Sequence, residues 1–472
     1  MATETRGTTA DKPPGDDPYE LRPDAVMDPP RTFSGRLKMI GPGMVTSAAV
    51  IGSGELIVTT SLGAQVGFAL LWLIIISTLV KVWVQIEYAQ WTILTGKTAI
   101  DGYSEIGPRF KGLGVINMLW IVNELPKLIQ RAGVVGGSAA AMSLAFPVFG
   151  APLSTGSMTF WVIAIVVTVV AFLVSNRYGM IEKVATAAIL VLVGVTLLLA
   201  LGLPLTPFGY QGSDIAEGLS FQIPAGGIGI ALAMFGLTGF TAPEINSYGY
   251  WCLEKGYARW TGPRDGTEER ARRAEGWIRV MRVDTGLAWV VMTVCTMSFY
   301  VMGAAVLHPQ GLVVEGNELI QTLSRMYTDT MGAWAGPLFL LAAVLTLGST
   351  TLAVGGAMPR LWTNTMGLMG LVNWRDRDAR DRWIRIFTVL LPTLWGLSFL
   401  LVREPVLMIQ IGGIADGLFL MAMVVAIWRL RSREVERRFR RGSFWTIALL
   451  ISSVSILWIG VAGVLEVFGV TF

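Results

Sequence analysis

Apolar stretches of about 20 residues recur along almost the whole chain, and each can cross a hydrocarbon core of roughly 30 Å as a helix. That repetition constrains the fold more than any other feature. Inside a bilayer every backbone N–H and C=O must find a partner within the protein, so only helices and closed barrels span it. Long unbroken apolar runs select helices. The charge content agrees: 15% of the 472 residues are charged, against about 25% in soluble domains. The fold class is an all-α polytopic membrane protein.

Eleven helical candidates follow from the apolar pattern, at about 38–63, 67–95, 113–146, 158–175, 183–204, 225–251, 283–306, 333–363, 384–402, 404–430 and 443–469. Residues 1–36 are polar and rich in Pro and Asp, lack the apolar core of a signal peptide, and read as a mostly disordered tail. Lys and Arg set the orientation. Of the 37 in the chain, all but Lys81, Lys127, Arg131, Arg325 and Arg403 fall on the tail and on every second loop. Positive charge accumulates on the cytoplasmic side. This predicts a multi-pass protein of the plasma (inner) membrane with a cytoplasmic N-terminus and an extracytoplasmic C-terminus. The basic loops 252–282 and 429–441 then face anionic lipid rather than nucleic acid.

Several chemistries are excluded. The chain has two cysteines, Cys252 and Cys295, in no metal or redox spacing, and a single histidine, His308. No His cluster or nucleophile–base pair suggests an enzyme, and no cofactor is implied. Most of the 17 tryptophans lie near helix ends and read as interfacial anchors.

Two segments carry helix breakers in mid-membrane. The first candidate contains Gly52-Ser53-Gly54-Glu55. The sixth contains Gly236-Leu237-Thr238-Gly239-Phe240-Thr241-Ala242-Pro243-Glu244. Each break is followed by a glutamate, and the two lie 189 residues apart. Helices one to five and six to ten then form two halves, and five helices per half inverts the second. Secondary transporters are commonly built this way, with the cargo site at the breaks. Helix capping explains either glutamate alone; the symmetric pair argues for more, because intramembrane carboxylates are costly and mark function. The chain divides into a tail (1–36), a first repeat (37–204), a second repeat (205–430), and a basic loop with helix eleven (431–472).

Further motifs fall in order along residues 38–430: Gly41-Pro42-Gly43, Gln85 through Thr95-Gly96-Lys97, Gly348-Ser349-Thr350-Thr351-Leu352, and Gln410-Ile411-Gly412-Gly413. In order and spacing they resemble the Nramp family of divalent-metal transporters. The resemblance implies a LeuT-like fold and a transported cation. The metal motifs depart from the family. Its Asp-Pro-Gly-Asn at the first break is Gly52-Ser53-Gly54-Glu55 here, and its Met-Pro-His at the sixth is Ala242-Pro243-Glu244. A helix-ten Gln falls on Asp416. The helix-three acids of the family's proton route fall on Gln130 and Gly133.

Soft ligands and His thus give way to carboxylates, which suit hard cations such as Mg²⁺ or Mn²⁺. Mg²⁺ keeps its waters, so its site would be wider and would touch the hydrated ion through Glu55, Glu244 and Asp416. The candidate cation site is Glu55, Glu244 and Asp416 with Gly52, Ser53, Gly239, Ala242 and Gln410. Lys127 and Arg131 share a face of helix three as internal counter-charges. If Arg131 reaches Glu55 or Glu244 it opposes a metal; if it reaches Glu124 it is structural. Lys81 has Glu87 as one candidate partner.

The expected function is a secondary transporter of a hard divalent cation, working by alternating access and uncoupled from protons. Its partners are the cation and the bilayer. A monomer is the simplest state the sequence allows, and the oligomeric state stays open. A carrier of organic cations or small zwitterions is the first alternative. A membrane sensor is the second, set back because signalling relatives carry a large soluble extension and this chain ends at Phe472.

Overall fold

The computed structural model describes residues 17–175, 178–224, 228–312, 318–440 and 442–467. Within the described residues, helix covers most of each of the eleven apolar stretches. Helix α1 runs Pro42–Val50, continues through a π-wound segment Ile51–Thr59, and ends in Thr60–Val66. Then come α2 (Leu71–Thr95), α3 (Val115–Ala145), α4 (Thr155–Val174) and α5 (Tyr178–Gly202). The sixth is divided into α6a (Ile228–Leu237) and α6b (Ala242–Lys255). They are followed by α7 (Glu268–Met302), α8 (Ala335–Leu368), α9 (Arg377–Val402), α10 (Pro405–Glu434) and α11 (Ser443–Val467).

Among the described residues, seven helices are long and apolar enough to span alone, and the bent α1 pair makes up to eight. Two of the others fall short for informative reasons. Helix α3 carries Glu124, Lys127 and Arg131 in its middle, and α6 is cut in two. Many side chains in the first half of α5 lie outside the described residues.

Burial sorts the helices into layers. The apolar windows of α2 and α7 are 78% and 72% buried within the protein, whereas those of α4 and α9 are 22% and 33% buried. Helices α2 and α7 therefore stand at the centre. The outer faces of α4 and α9 carry exposed Ile163, Val167, Leu397 and Leu401, as lipid-facing surfaces should. In hydrocarbon, helices gain by close backbone approach at small residues. Helix α10 uses this against α6a: a Cβ at Gly236 would lie 1.9 Å from the Gly413 carbonyl oxygen.

The loops expected on one side of the membrane meet at one end of the bundle. Lys97, Arg109, Arg264 and Arg433 line a common cavity there with Glu105 and Glu434. The described part of the tail, residues 17–36, is packed onto that end rather than free. Tyr19 Oη donates to Glu254 (2.7 Å), Arg380 pairs with Asp17 (2.8 Å), and Trp277 Nε1 donates to Met27 O (3.0 Å). Side chains at that end hold the tail through its Tyr19 hydroxyl, its Asp17 carboxylate and its Met27 carbonyl, which composition alone does not reveal. Residues 1–16 lie outside the described residues.

Three further differences from the sequence reading have physical causes. Helix α7 extends back into the basic loop to an N-cap at Thr267, whose hydroxyl accepts from Arg270 N. An amphipathic helix, Leu319–Met331, buries Leu319, Ile320, Leu323, Met326 and Tyr327 on one face. Trp91, Trp120, Trp277 and Trp395 are fully buried, so these four are core side chains rather than interfacial anchors.

Candidate functional site

The first break is not unwound. The helix widens into the π-segment Ile51–Thr59 and bends by 42° between Pro42–Val50 and Glu55–Val66. Thr350 of α8 stitches the α–π junction: its hydroxyl accepts from Gly52 N (3.2 Å) and donates to Ala48 O (2.9 Å). A Cβ at Gly52 would lie 2.3 Å from that hydroxyl oxygen, so glycine is what lets α8 approach. The Ser53 side chain lies outside the described residues.

The sixth helix is unwound. Helix α6a ends at Leu237 and α6b starts at Ala242. Gly239 has φ +63°, a left-handed conformation that glycine alone adopts without strain. Pro243 sits in the first turn of α6b, where its missing N–H costs nothing.

Glu55 links the two breaks. It is fully buried, and its Oε1 accepts from Gly239 N (3.2 Å). The same oxygen is 2.9 Å from Thr296 Oγ1 of α7, whose proton is shared with Met292 O. Among the described residues Glu55 Oε2 has no hydrogen-bond partner. Glu244 stands in the first turn of α6b, where the helix dipole favours a carboxylate. It is buried, and its Oε2 likewise has no partner.

Asp416 is placed differently. It is fully buried on α10, forms a salt bridge with Lys127 of α3, and accepts from Asn123 Nδ2 (3.2 Å). It is therefore already satisfied by an internal cation. Arg131 forms a two-pronged pair with Glu124 (2.6 and 3.1 Å). It reaches neither break glutamate through a hydrogen bond, which favours its structural reading. Glu87 faces Arg431 at 3.7 Å rather than Lys81. Ala242 is buried at the start of α6b, and Gln410 is partly exposed, outside the hydrogen bonds that join the breaks.

The sequence reading did not count several buried polar groups among the site residues. Gln85 of α2 has both side-chain polar atoms buried without partners, and Gln130 Oε1 and Asn123 Oδ1 of α3 are unpartnered too. Buried polar groups are normally satisfied, so each of these atoms is one that water or a bound group would stabilise. Asp284 of α7 holds the start of α1, accepting from Gly41 N (3.0 Å), Gly43 N (2.7 Å) and Tyr248 Oη (2.9 Å). Helix N-termini leave orphan N–H groups, and an acid at the polar start of the seventh apolar run is the signal that could have found it. Among the described residues no three His, Cys, Asp or Glu side chains gather as a metal cluster.

Comparison with known proteins bears on this geometry. The family profile described as natural resistance-associated macrophage protein-like (Nramp) matches residues 43–466. The divalent metal cation transporter MntH of Deinococcus radiodurans is 24% identical over 440 residues, covering 91% of each chain. A mutant of the Eremococcus coleocola manganese transporter superposes with a TM-score of 0.65 at 16% identity, over 95% of this chain and 90% of that one. Mhp1, a nucleobase-cation-symport-1 family transporter, gives 0.55 at 13% identity over 90% of each chain. These superpositions establish the LeuT-like fold.

Proposed function

The chain belongs to the natural resistance-associated macrophage protein-like (Nramp) family, and from that premise we propose that it carries a hard divalent cation, Mn²⁺ or Mg²⁺, across its membrane by alternating access. The observation that supports this most is the pair of buried carboxylates at the two breaks. Each keeps one oxygen, Glu55 Oε2 and Glu244 Oε2, without a protein partner. Unpartnered buried carboxylate oxygens are costly, and a cation removes that cost. The unpartnered amide oxygen of Asn123, whose Nδ2 donates to Asp416, is also a hard donor, of a kind able to hold an ion directly or through its waters. The soft ligand of the family motif is replaced by Ala242.

Helices α1 and α6 are tied together by Glu55 and rock as one group against the rest of the bundle. The Asp284 clamp on Gly41 and Gly43 holds the cytoplasmic end of α1 and must open to release cargo inward. The position of the family's proton-path His is Glu244, and its helix-three acids are Gln130 and Gly133, so transport runs on the cation gradient and membrane potential. The N-terminus is cytoplasmic and the C-terminus extracytoplasmic.

Mn²⁺ and Mg²⁺ entry into proteoliposomes with a trapped fluorophore tests this. Wild type takes up one or both ions, and Glu55→Gln lowers the rate by about 10-fold or more, the factor that corresponds to 1.4 kcal/mol. Folded wild type that admits neither ion overturns the cation reading, and uptake driven by a pH gradient overturns the uncoupled mechanism.

A second reading, a carrier of organic cations or small zwitterions, is favoured by one observation. Two ammonium groups, Lys81 and Lys127, are buried beside the break carboxylates and Asp416. Displacement of Mn²⁺ by amines or amino acids, followed by their own uptake, would establish it.

A further inference from the structure

Lys81 lies in the middle of α2, fully buried. Its ammonium donates to Phe235 O (2.5 Å) and to Thr238 O, and stands 4.9 Å from the centre of the Phe235 ring. Both carbonyls are orphans of the break. In an unbroken helix Phe235 O would accept from Gly239 N, but that N–H points to Glu55 instead. Thr238 O would accept from Ala242 N, which begins the next helix. The C-terminal end of α6a also carries the negative end of a helix dipole.

One peptide unit, Thr238–Gly239, is thereby held from both sides. Its C=O receives the Lys81 ammonium and its N–H donates to the Glu55 carboxylate. Ser77, one turn before Lys81, braces the same residue through its hydroxyl, 2.7 Å from Thr238 Oγ1. Lys81 is also within electrostatic reach of Glu55, Asp416 and Glu244. Three carboxylates thus face two ammonium groups, Lys81 and Lys127, while Arg131 and Glu124 cancel each other. The buried group is left with a single formal negative charge.

We propose that Lys81 is a resident cation: its tethered ammonium occupies the negative end of the broken helix, competes with an incoming cation, and sets the affinity for divalent ions. With Lys81 in place, a divalent ion carries the group to a net positive charge, and like charges in a low-dielectric interior repel strongly. Binding then requires the ammonium to withdraw from the break, and its return helps expel the ion. Lys81 is thus a specificity-determining residue. This rests on the cation-carrier reading above.

The test is Mn²⁺ binding to purified full-length protein in detergent, by calorimetric titration, with thermal unfolding followed on the same samples. Lys81→Met should bind Mn²⁺ about 10-fold or more tightly than wild type. Lys81→Arg should keep wild-type affinity, and adding Glu55→Gln to Lys81→Met should remove the gain. A folded Lys81→Met with equal or weaker Mn²⁺ binding overturns the proposal. If Lys81→Met does not fold, the Lys81→Met/Glu55→Gln pair decides: recovered cooperative unfolding shows that the ammonium balances the site carboxylate, and no recovery overturns it. Failure of the carrier reading is seen separately, as wild-type vesicles that admit neither Mn²⁺ nor Mg²⁺. The unfolding arm still decides the role of Lys81 in that case.

Discussion

The two helix breaks share a pattern of glycines followed by a glutamate, yet their backbones solve different problems. At the first, the chain stays wound. Residues 51–59 contain no proline, so every backbone N–H can still donate, and a π-turn preserves hydrogen bonding while it bends the axis. Thr350 supplies an external contact that holds the junction. At the second, Gly239 at φ +63° and Pro243 together end one helix and start another. The groups freed there are met by charged side chains from elsewhere, Glu55 from α1 and Lys81 from α2. One break therefore provides the carboxylate that closes the other. Similar local sequence produces a bend where donors remain and a gap where one is missing, and the gap is where charge collects.

That contrast can be broken experimentally, and the largest effect is expected away from the breaks themselves. Lys127→Met leaves Asp416 as a buried unpaired carboxylate, and losing one partner of a buried ion pair costs about 3–5 kcal/mol. Thermal unfolding in detergent should show severe loss, recovered in Lys127→Met/Asp416→Asn. If the single variant is as stable as wild type, Asp416 is not held by Lys127 and rejoins the cation ligands.

Next comes Gly236→Ala, before the open break. The added Cβ meets the Gly413 carbonyl oxygen at 1.9 Å, a backbone atom that cannot rotate away. Overpacking of this kind costs about 3 kcal/mol at the upper end of the usual range, seen as a lower melting temperature and poor recovery on size exclusion.

Gly52→Ala, at the wound break, should cost less, about 1–2 kcal/mol. Its closest clash, at 2.3 Å, is with the side-chain hydroxyl of Thr350. Gly52→Ala/Thr350→Ala should regain most of the melting temperature. Equal damage from Gly236→Ala and Gly52→Ala would remove the distinction drawn between the two breaks.

The smallest effect belongs to Thr296→Val. It removes one contact to Glu55 Oε1 and leaves the Gly239 N–H in place, about 1 kcal/mol. Unfolding should shift by about a degree, while vesicle uptake continues at a changed apparent KM. Complete loss of uptake in a stable Thr296→Val protein would mean that the hydroxyl touches cargo.

Structure is legible in the sequence wherever the bilayer leaves the chain few choices. A run such as 158–175 has no alternative to a helix, because no water is present to satisfy its backbone. Loops such as 252–282 and 429–441 carry their charge openly and assemble at one end, as the alternation of Lys and Arg requires. The breaks were visible because glycine and proline act within one or two residues of themselves. Less was legible in the site. Glu55, Glu244 and Asp416 are chemically alike on paper, and their separation depends on which cation each meets. Asp416 meets Lys127 from a helix 289 residues earlier in the chain, whereas Glu55 and Glu244 each keep a free oxygen.

The sequence by itself determined the helical membrane architecture, the grouping of basic loops, the position of both breaks and the presence of more buried charge than a bilayer tolerates without cause. Hydrophobicity, backbone satisfaction and φ preference are local or additive quantities, so they can be summed along the chain. Tertiary structure alone decided that the first break is wound and the second open, that Arg131 pairs with Glu124, and that Lys81 and Glu55 grip opposite ends of one peptide. Those outcomes depend on distances between residues far apart in the chain, and pairing energies fall away within a few ångströms.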